Sequence, residues 1–134
     1  MPGIACPFAK AIMSTQCSCE YSTRFLIAER EHAGCVSETA HTNCEFLLES
    51  FKENSRFVLK LTATNEEIPH GKQMRIQIGG LLGLQKLVQD NEAGSQVQNV
   101  HAVVQSAFEK YGSLKNIPFN EIVKSITGWK GRRG

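Results

Sequence analysis

The sequence predicts a small, mainly α fold of about five helices, and three observations lead to it. Apolar residues recur at three-and-four spacing through most of the last two-thirds of the chain. The segments that carry this spacing close on glycine or sit beside proline. A chain of 134 residues, 41% apolar and 21% charged, has the size and composition of one globular domain with one modest core. A single domain over 1–134 is expected, with a cysteine-bearing region at 1–44, a helical core at 45–127 and a basic tail at 128–134.

The first helix is expected from about Ser22 to Ala33, with Phe25 and Leu26 turned inward and Gly34 as terminator. The second runs from about Thr42 to Leu61, where Cys44, Leu47, Leu48, Phe51, Val58 and Leu59 share a face interrupted at Asn54 and Ser55. A competing pattern lies at its end, because Phe57, Leu59 and Leu61 alternate as in a strand and "QMRIQI" offers a partner. The alternative architecture is therefore α+β, with one short hairpin pairing 56–62 with 73–78.

In "MRIQIGGLLGLQKLV" the stripe Met74, Ile78, Leu81, Leu84 and Val88 favours a third helix, from Gly80 onward. Gly79, Gly80 and Gly83 would each cost about 1 kcal/mol against alanine inside a helix, so close approach of another backbone is expected to compensate. The functional reading of Gly79-Gly80 is a helix N-terminus that binds an anion, although no GxGxxG or GK[ST] motif accompanies it. A fourth helix is read in "SQVQNVHAVVQSAFEKYG", with Ser95 as N-cap, Gly112 as stop, and Val97, Val100, His101, Val104, Ala107, Phe108 and Tyr111 on one face. A fifth spans about Pro118 to Thr127, with Ile122, Val123 and Ile126 inward and Trp129 packing just beyond.

All five cysteines, Cys6, Cys17, Cys19, Cys35 and Cys44, lie in the first 44 residues, an arrangement with a chance probability of about 0.004. No basic region precedes an apolar run, and no stretch approaches the roughly 18 apolar residues that span a bilayer, so the expectation is a cytoplasmic protein with no membrane association. Disulfides are uncommon in such a compartment, and five is an odd number. Metal binding, thiol redox chemistry or simple burial remain, free cysteine being a common core residue.

The spacing C-x10-C-x-C-x15-C-x8-C lacks the two C-x2-4-C knuckles of structural zinc, which leaves zinc as the alternative metal. Residues i and i+2 of an extended segment point to one side about 6.6 Å apart, which suits the face of a multi-iron cluster. Cys6 precedes Pro7 as in the ligand run of bacterial ferredoxins, but the remainder of that spacing is absent. The expectation is an iron–sulfur cluster, [4Fe–4S], held by four of the five cysteines, with Cys17 or Cys19 the spare. His32 and His41 are possible further ligands and more often solvated residues.

Conventional catalysis is not indicated. Glu29, Glu31, Glu38 and Glu45 read as solvated positions, His70 as a loop residue and His101 as a hydrogen-bonded core histidine, and no GxSxG, HExxH or nucleotide motif occurs. The leading function is electron transfer or redox sensing with a redox partner protein. One alternative is a regulatory module whose tail "GWKGRRG" contacts DNA or an acidic protein, although the net charge of +2 is too mild to imply nucleic acid by itself. Another is a metal-free thiol redox or sulfur-transfer protein using Cys17 or Cys19 as nucleophile. The last two-thirds is expected to supply most of the core, with the metal organising the first third.

Overall fold

Ser37 begins an 18-residue helix: its backbone is extended, and its hydroxyl accepts the Ala40 N–H at 3.2 Å, satisfying one of the donors that a helix start leaves open. This helix, α2 (Glu38–Ser55), buries Ala40, Cys44, Leu47 and Phe51 on one face. The computed structural model describes residues 4–14, 16–27, 30–60, 68–89 and 96–129. Within them the chain is mainly α. The other helices are α1 (Ala9–Met13), α3 (His70–Met74), α4 (Gly80–Gln89), α5 (Val100–Tyr111) and α6 (Phe119–Gly128). A π turn (Arg75–Gly79) joins α3 to α4 with helical backbone at both junctions, so 70–89 is one continuous helical rod. Among the described residues no helix is long and apolar enough to cross a membrane.

The expected helix from Ser22 to Ala33 is absent. In its place β2 (Ser22–Ile27) and β3 (Arg30–Cys35) form an antiparallel hairpin, and β1 (Ile4–Ala5) adds to the other side of β3, giving the order β1-β3-β2. The reason lies in composition: "STRFLI" is rich in β-branched and aromatic residues, and strand preference is realised when a neighbouring strand is available. Gly34, read as a helix stop, is instead a strand residue opposite both Ala5 and Thr23. The alternative hairpin of 56–62 with 73–78 is also absent. Residues 73–78 are helical, and 56–60 form a turn in which the Leu59 amide donates to the Ser55 carbonyl at 3.0 Å. Residues 61 and 62 lie outside the described set, as do Ser95 and the basic tail from Lys130. α5 starts later than expected, at Val100 after Asn99.

One apolar cluster unites the described chain from Phe8 to Ile126. Phe8 and Ile12, in the first third, are as buried as Phe51, Leu81 and Ile122. The cysteine-bearing region thus contributes to the core, more than its few large apolar side chains suggested.

The glycines of the helical rod show why they are tolerated. A Cβ on Gly79 would stand 2.8 Å from Ile126 Cα, one on Gly83 would stand 2.9 Å from Ser125 Cβ, and one on Gly80 would enter the Phe51 ring. α4 and α6 are therefore in backbone contact, which offsets the entropic cost of glycine. The anion-binding reading of Gly79-Gly80 fails, since both lie inside the continuous helical rod of 70–89 and not at its start. Gly79→Ala should destabilise the chain by about 1–3 kcal/mol through overpacking against α6 backbone. Gly71→Ala, which meets nothing within 4 Å, should be neutral or gain up to about 1 kcal/mol. Urea denaturation of the two variants checks both, and equal midpoints would refute the contact.

Candidate metal centre

Four of the five cysteines line one cavity. Cys6 follows β1, and its amide donates to the Ala33 carbonyl of β3 at 3.1 Å. Cys35 is the last residue of β3, facing Ile4 on one side and Ser22 on the other. Cys19 lies three residues before β2, its carbonyl accepting the Ser22 amide at 3.0 Å. Cys44 comes from the buried face of α2. Phe8, Ile12, Ala40, Val100 and Val104 complete an apolar wall around a partly open cleft with an internal volume of about 10 Å³. Cys35 and Cys44 are buried, whereas Cys6 and Cys19 are half-buried and mark the open edge.

Cys17 stands apart. It is 1% exposed, bridges Val97 in a short parallel pairing and joins the core without lining the cavity. A ladder holds this segment: the Val97 amide donates to Gln16, Ser18 to Val97 and Val100 to Ser18, at 2.7–2.9 Å. Glu20 and Asn99 close it, the Asn99 side chain accepting the Glu20 amide at 3.1 Å and donating to the Glu20 carboxylate at 2.7 Å.

That ladder delivers the start of α5 to the cavity. Asn99 spends its side chain on Glu20 and makes no side-chain cap, so the first amides of α5 are left for other acceptors. The His101 amide reaches the Cys19 sulfur, which also receives the Tyr21 amide, and the Phe8 amide reaches the Cys6 sulfur. Backbone N–H groups and a helix N-terminus are the donors that stabilise negative charge on sulfur.

Burial opposes that charge while the thiols are alone. Desolvation pushes Cys6 up to about 11, and Cys17 and Cys44 to about 12, from an ordinary 9.0; Cys19 is raised as well. The Cys44 thiol is pushed further by proximity to Cys6, Cys19 and Cys35, which places all four within electrostatic reach of one another. Among the described residues no three His, Cys, Asp or Glu side chains are grouped to hold a metal ion.

Three histidines stay off the cavity, and His70 opens α3 instead of sitting in a loop. His41 pairs with Glu45 at 3.7 Å on α2, His70 accepts from Lys10 at 3.1 Å on the surface, and His32 is half-buried on β3; none lines the cavity. His101, expected in the core, is on the cavity wall with its ring edge against Tyr21, centroids 4.5 Å apart. Glu38 occupies the first turn of α2, and Glu29 lies outside the described residues. Sequence reasoning missed the α5 amides because it began that helix at Ser95; Asn99, a favoured N-cap type, was the available signal. No family model, curated protein or solved structure matches the chain.

The raised thiols carry a stability consequence in the metal-free protein. Between pH 9 and about 12 the unfolded chain has released protons that the folded chain retains on Cys6, Cys17 and Cys44. The folded state then binds more protons, so this contribution is complete below pH 9 and is lost as pH rises through the window. The urea midpoint should fall above pH 9, and Cys17→Ala should make that fall shallower. A wild-type midpoint that holds steady to pH 11 would contradict the burial argument.

Proposed function

We propose that this chain is a small iron–sulfur protein in which Cys6, Cys19, Cys35 and Cys44 hold one [4Fe–4S] cluster for electron transfer or redox sensing. The observation that carries the reading is the meeting of four thiols from four separate segments at one apolar cavity, with Cys17 buried beside Cys6 but not lining it. The donor set fits the group: four sulfurs, apolar cover, and backbone amides aimed at Cys6 and Cys19. A zinc ion draws sulfurs to about 2.3 Å from a single point. The chain has no C-x2-4-C knuckle, the pattern that usually brings them there, and zinc is the weaker metal for that reason.

The bound cluster would supply a reversible one-electron couple. The chain's own part is to provide thiolates, exclude water from the Cys35 and Cys44 side, and leave the Cys6 and Cys19 edge near solvent, where a redox partner protein or an oxidant can approach. Loading must expel the thiol protons that burial retains, so metal uptake should strengthen as pH rises. The metal-free thiol alternative gains less support, because thiols pushed up to about 11 and 12 are weak nucleophiles at neutral pH. The basic-tail alternative rests on Lys130, Arg132 and Arg133, outside the described residues.

A serine series tests the assignment. After anaerobic preparation, Cys6→Ser, Cys19→Ser, Cys35→Ser and Cys44→Ser should each lose most of their iron, sulfide and visible absorption. Cys17→Ser should keep them, at some cost in stability. Retention of full iron by any two of the first four variants, or its loss in Cys17→Ser alone, would overturn the assignment.

A further inference from the structure

The seam between the helical rod and α6 ends in cations. Gly83 lies against Ser125 and Ile122, Gly79 against Ile126, and Arg75 Nε donates to the Trp129 carbonyl at 3.2 Å, so the two elements run antiparallel. Steps of four lead along the rod from Gly83 through Gly79 to Arg75, and the next positions on that face are Gly71 and Lys72. A Cβ on Gly71 would meet nothing within 4 Å, so the seam is open there. Lys10 of α1 stands at the same end of the rod, its Nζ 3.1 Å from His70 Nδ1. α6 delivers the chain to this end at a fixed point. The Trp129 side chain packs against the core, its amide donates to the Ser125 carbonyl at 3.0 Å, and its carbonyl is held by Arg75. Lys130, Arg132 and Arg133 follow in sequence, and four residues of chain reach at most about 14 Å from that point.

We propose that this end of the rod and the basic tail form one composite surface that binds the phosphate backbone of a nucleic acid. The mild net charge of +2 conceals a strong partition. Segments 68–89 and 122–134 hold seven Lys and Arg and no Asp or Glu, against eight and thirteen in the rest of the chain. The neighbouring acids of the described residues are turned away or paired. Glu121 pairs with Lys124 at 3.3 Å, about 12 Å back along α6 from Trp129. Glu49 and Glu53 lie two residues either side of Phe51, whose ring meets Gly80, so they occupy the opposite side of α2, where they pair with Lys52 and Arg56. Glu66 and Glu67 lie outside the described residues. Cations gathered within about a Debye length act together on a polyanion, and the planar fork of arginine matches phosphate. A bilayer suits this surface less. The exposed large apolar side chains, Leu26, Val36, Phe46, Phe57, Val58 and Phe108, all lie outside the two acid-free segments, so among the described residues nothing here is offered to enter lipid. The cysteines take no part, so the surface stands whatever their cavity holds.

The test is fluorescence anisotropy of a labelled, mixed-sequence DNA duplex of about 20 base pairs, titrated with the full-length protein over a range of salt concentrations. Affinity should fall roughly 500-fold between about 50 and 200 mM salt, as for about five phosphates neutralised by Lys72, Arg75, Lys130, Arg132 and Arg133. Lys72→Ala should lower the log–log salt slope by about one, and joint replacement of Lys130, Arg132 and Arg133 by alanine should lower it by about three. Lys86→Ala, about 20 Å along the rod from Lys72, should leave the slope as in the wild type. Absence of binding at the lowest salt would overturn the proposal. So would an unchanged slope in Lys72→Ala, which would leave the tail acting alone, or an equal drop in Lys86→Ala, which would mean that any surface cation counts. Phosphatidylserine vesicles bound as tightly as the duplex would overturn the assignment to nucleic acid.

Discussion

Cys35 sits where three strands meet, and the cavity depends on that register. β3 pairs with β1 and β2 so that Ile4, Cys35 and Ser22 lie side by side across the sheet. Cys6 is then two residues beyond one edge partner, and Cys19 three residues before the other. β3 ends at Cys35 and turns through Ser37 into α2, which brings Cys44 to the same cavity. Every thiol of the cavity is placed relative to one central strand. A slip of one residue would turn alternate side chains to the opposite face and scatter the set.

Two opposing forces act on the sulfurs so assembled. Burial in apolar surroundings and mutual proximity favour protonated thiols, as the upward displacement of Cys44 illustrates. The amides of Phe8, Tyr21 and His101 favour negative charge at Cys6 and Cys19, the two thiols nearest solvent. A positively charged inorganic core would reverse the balance and make the burial useful, because low dielectric strengthens the attraction between thiolate and metal. The same low dielectric is unhelpful to a bare nucleophilic thiolate. Cys17 shows the other fate of a cysteine in this protein, a small apolar core residue at the Val97 bridge.

The helical body was legible where periodicity is long and closed by a clear stop, as in α5 with Gly112 in left-handed conformation and in α6 ending at Gly128. The close approach expected at Gly79, Gly80 and Gly83 is present, because only contact with another element explains three glycines in a helix. The hairpin at Ser22–Cys35 was not legible. Its strands are short, "AEREH" contains good helix formers, and the strand that completes the sheet is two residues long and remote in sequence. Within the site, gathering of the thiols could be anticipated from their crowding into the first 44 residues and from a chain that turns back on itself, though strands rather than a helix bring it back. Which of Cys17 and Cys19 faces the cavity could not, since their pairing with 97–100 depends on a tertiary contact.

The most direct test of the account is native mass spectrometry of anaerobically purified protein. The account predicts a chain carrying four irons and four sulfides, with four thiol protons displaced, and the same species in Cys17→Ala. A chain that retains all five thiol protons and no inorganic mass, or that carries one zinc ion, would contradict it.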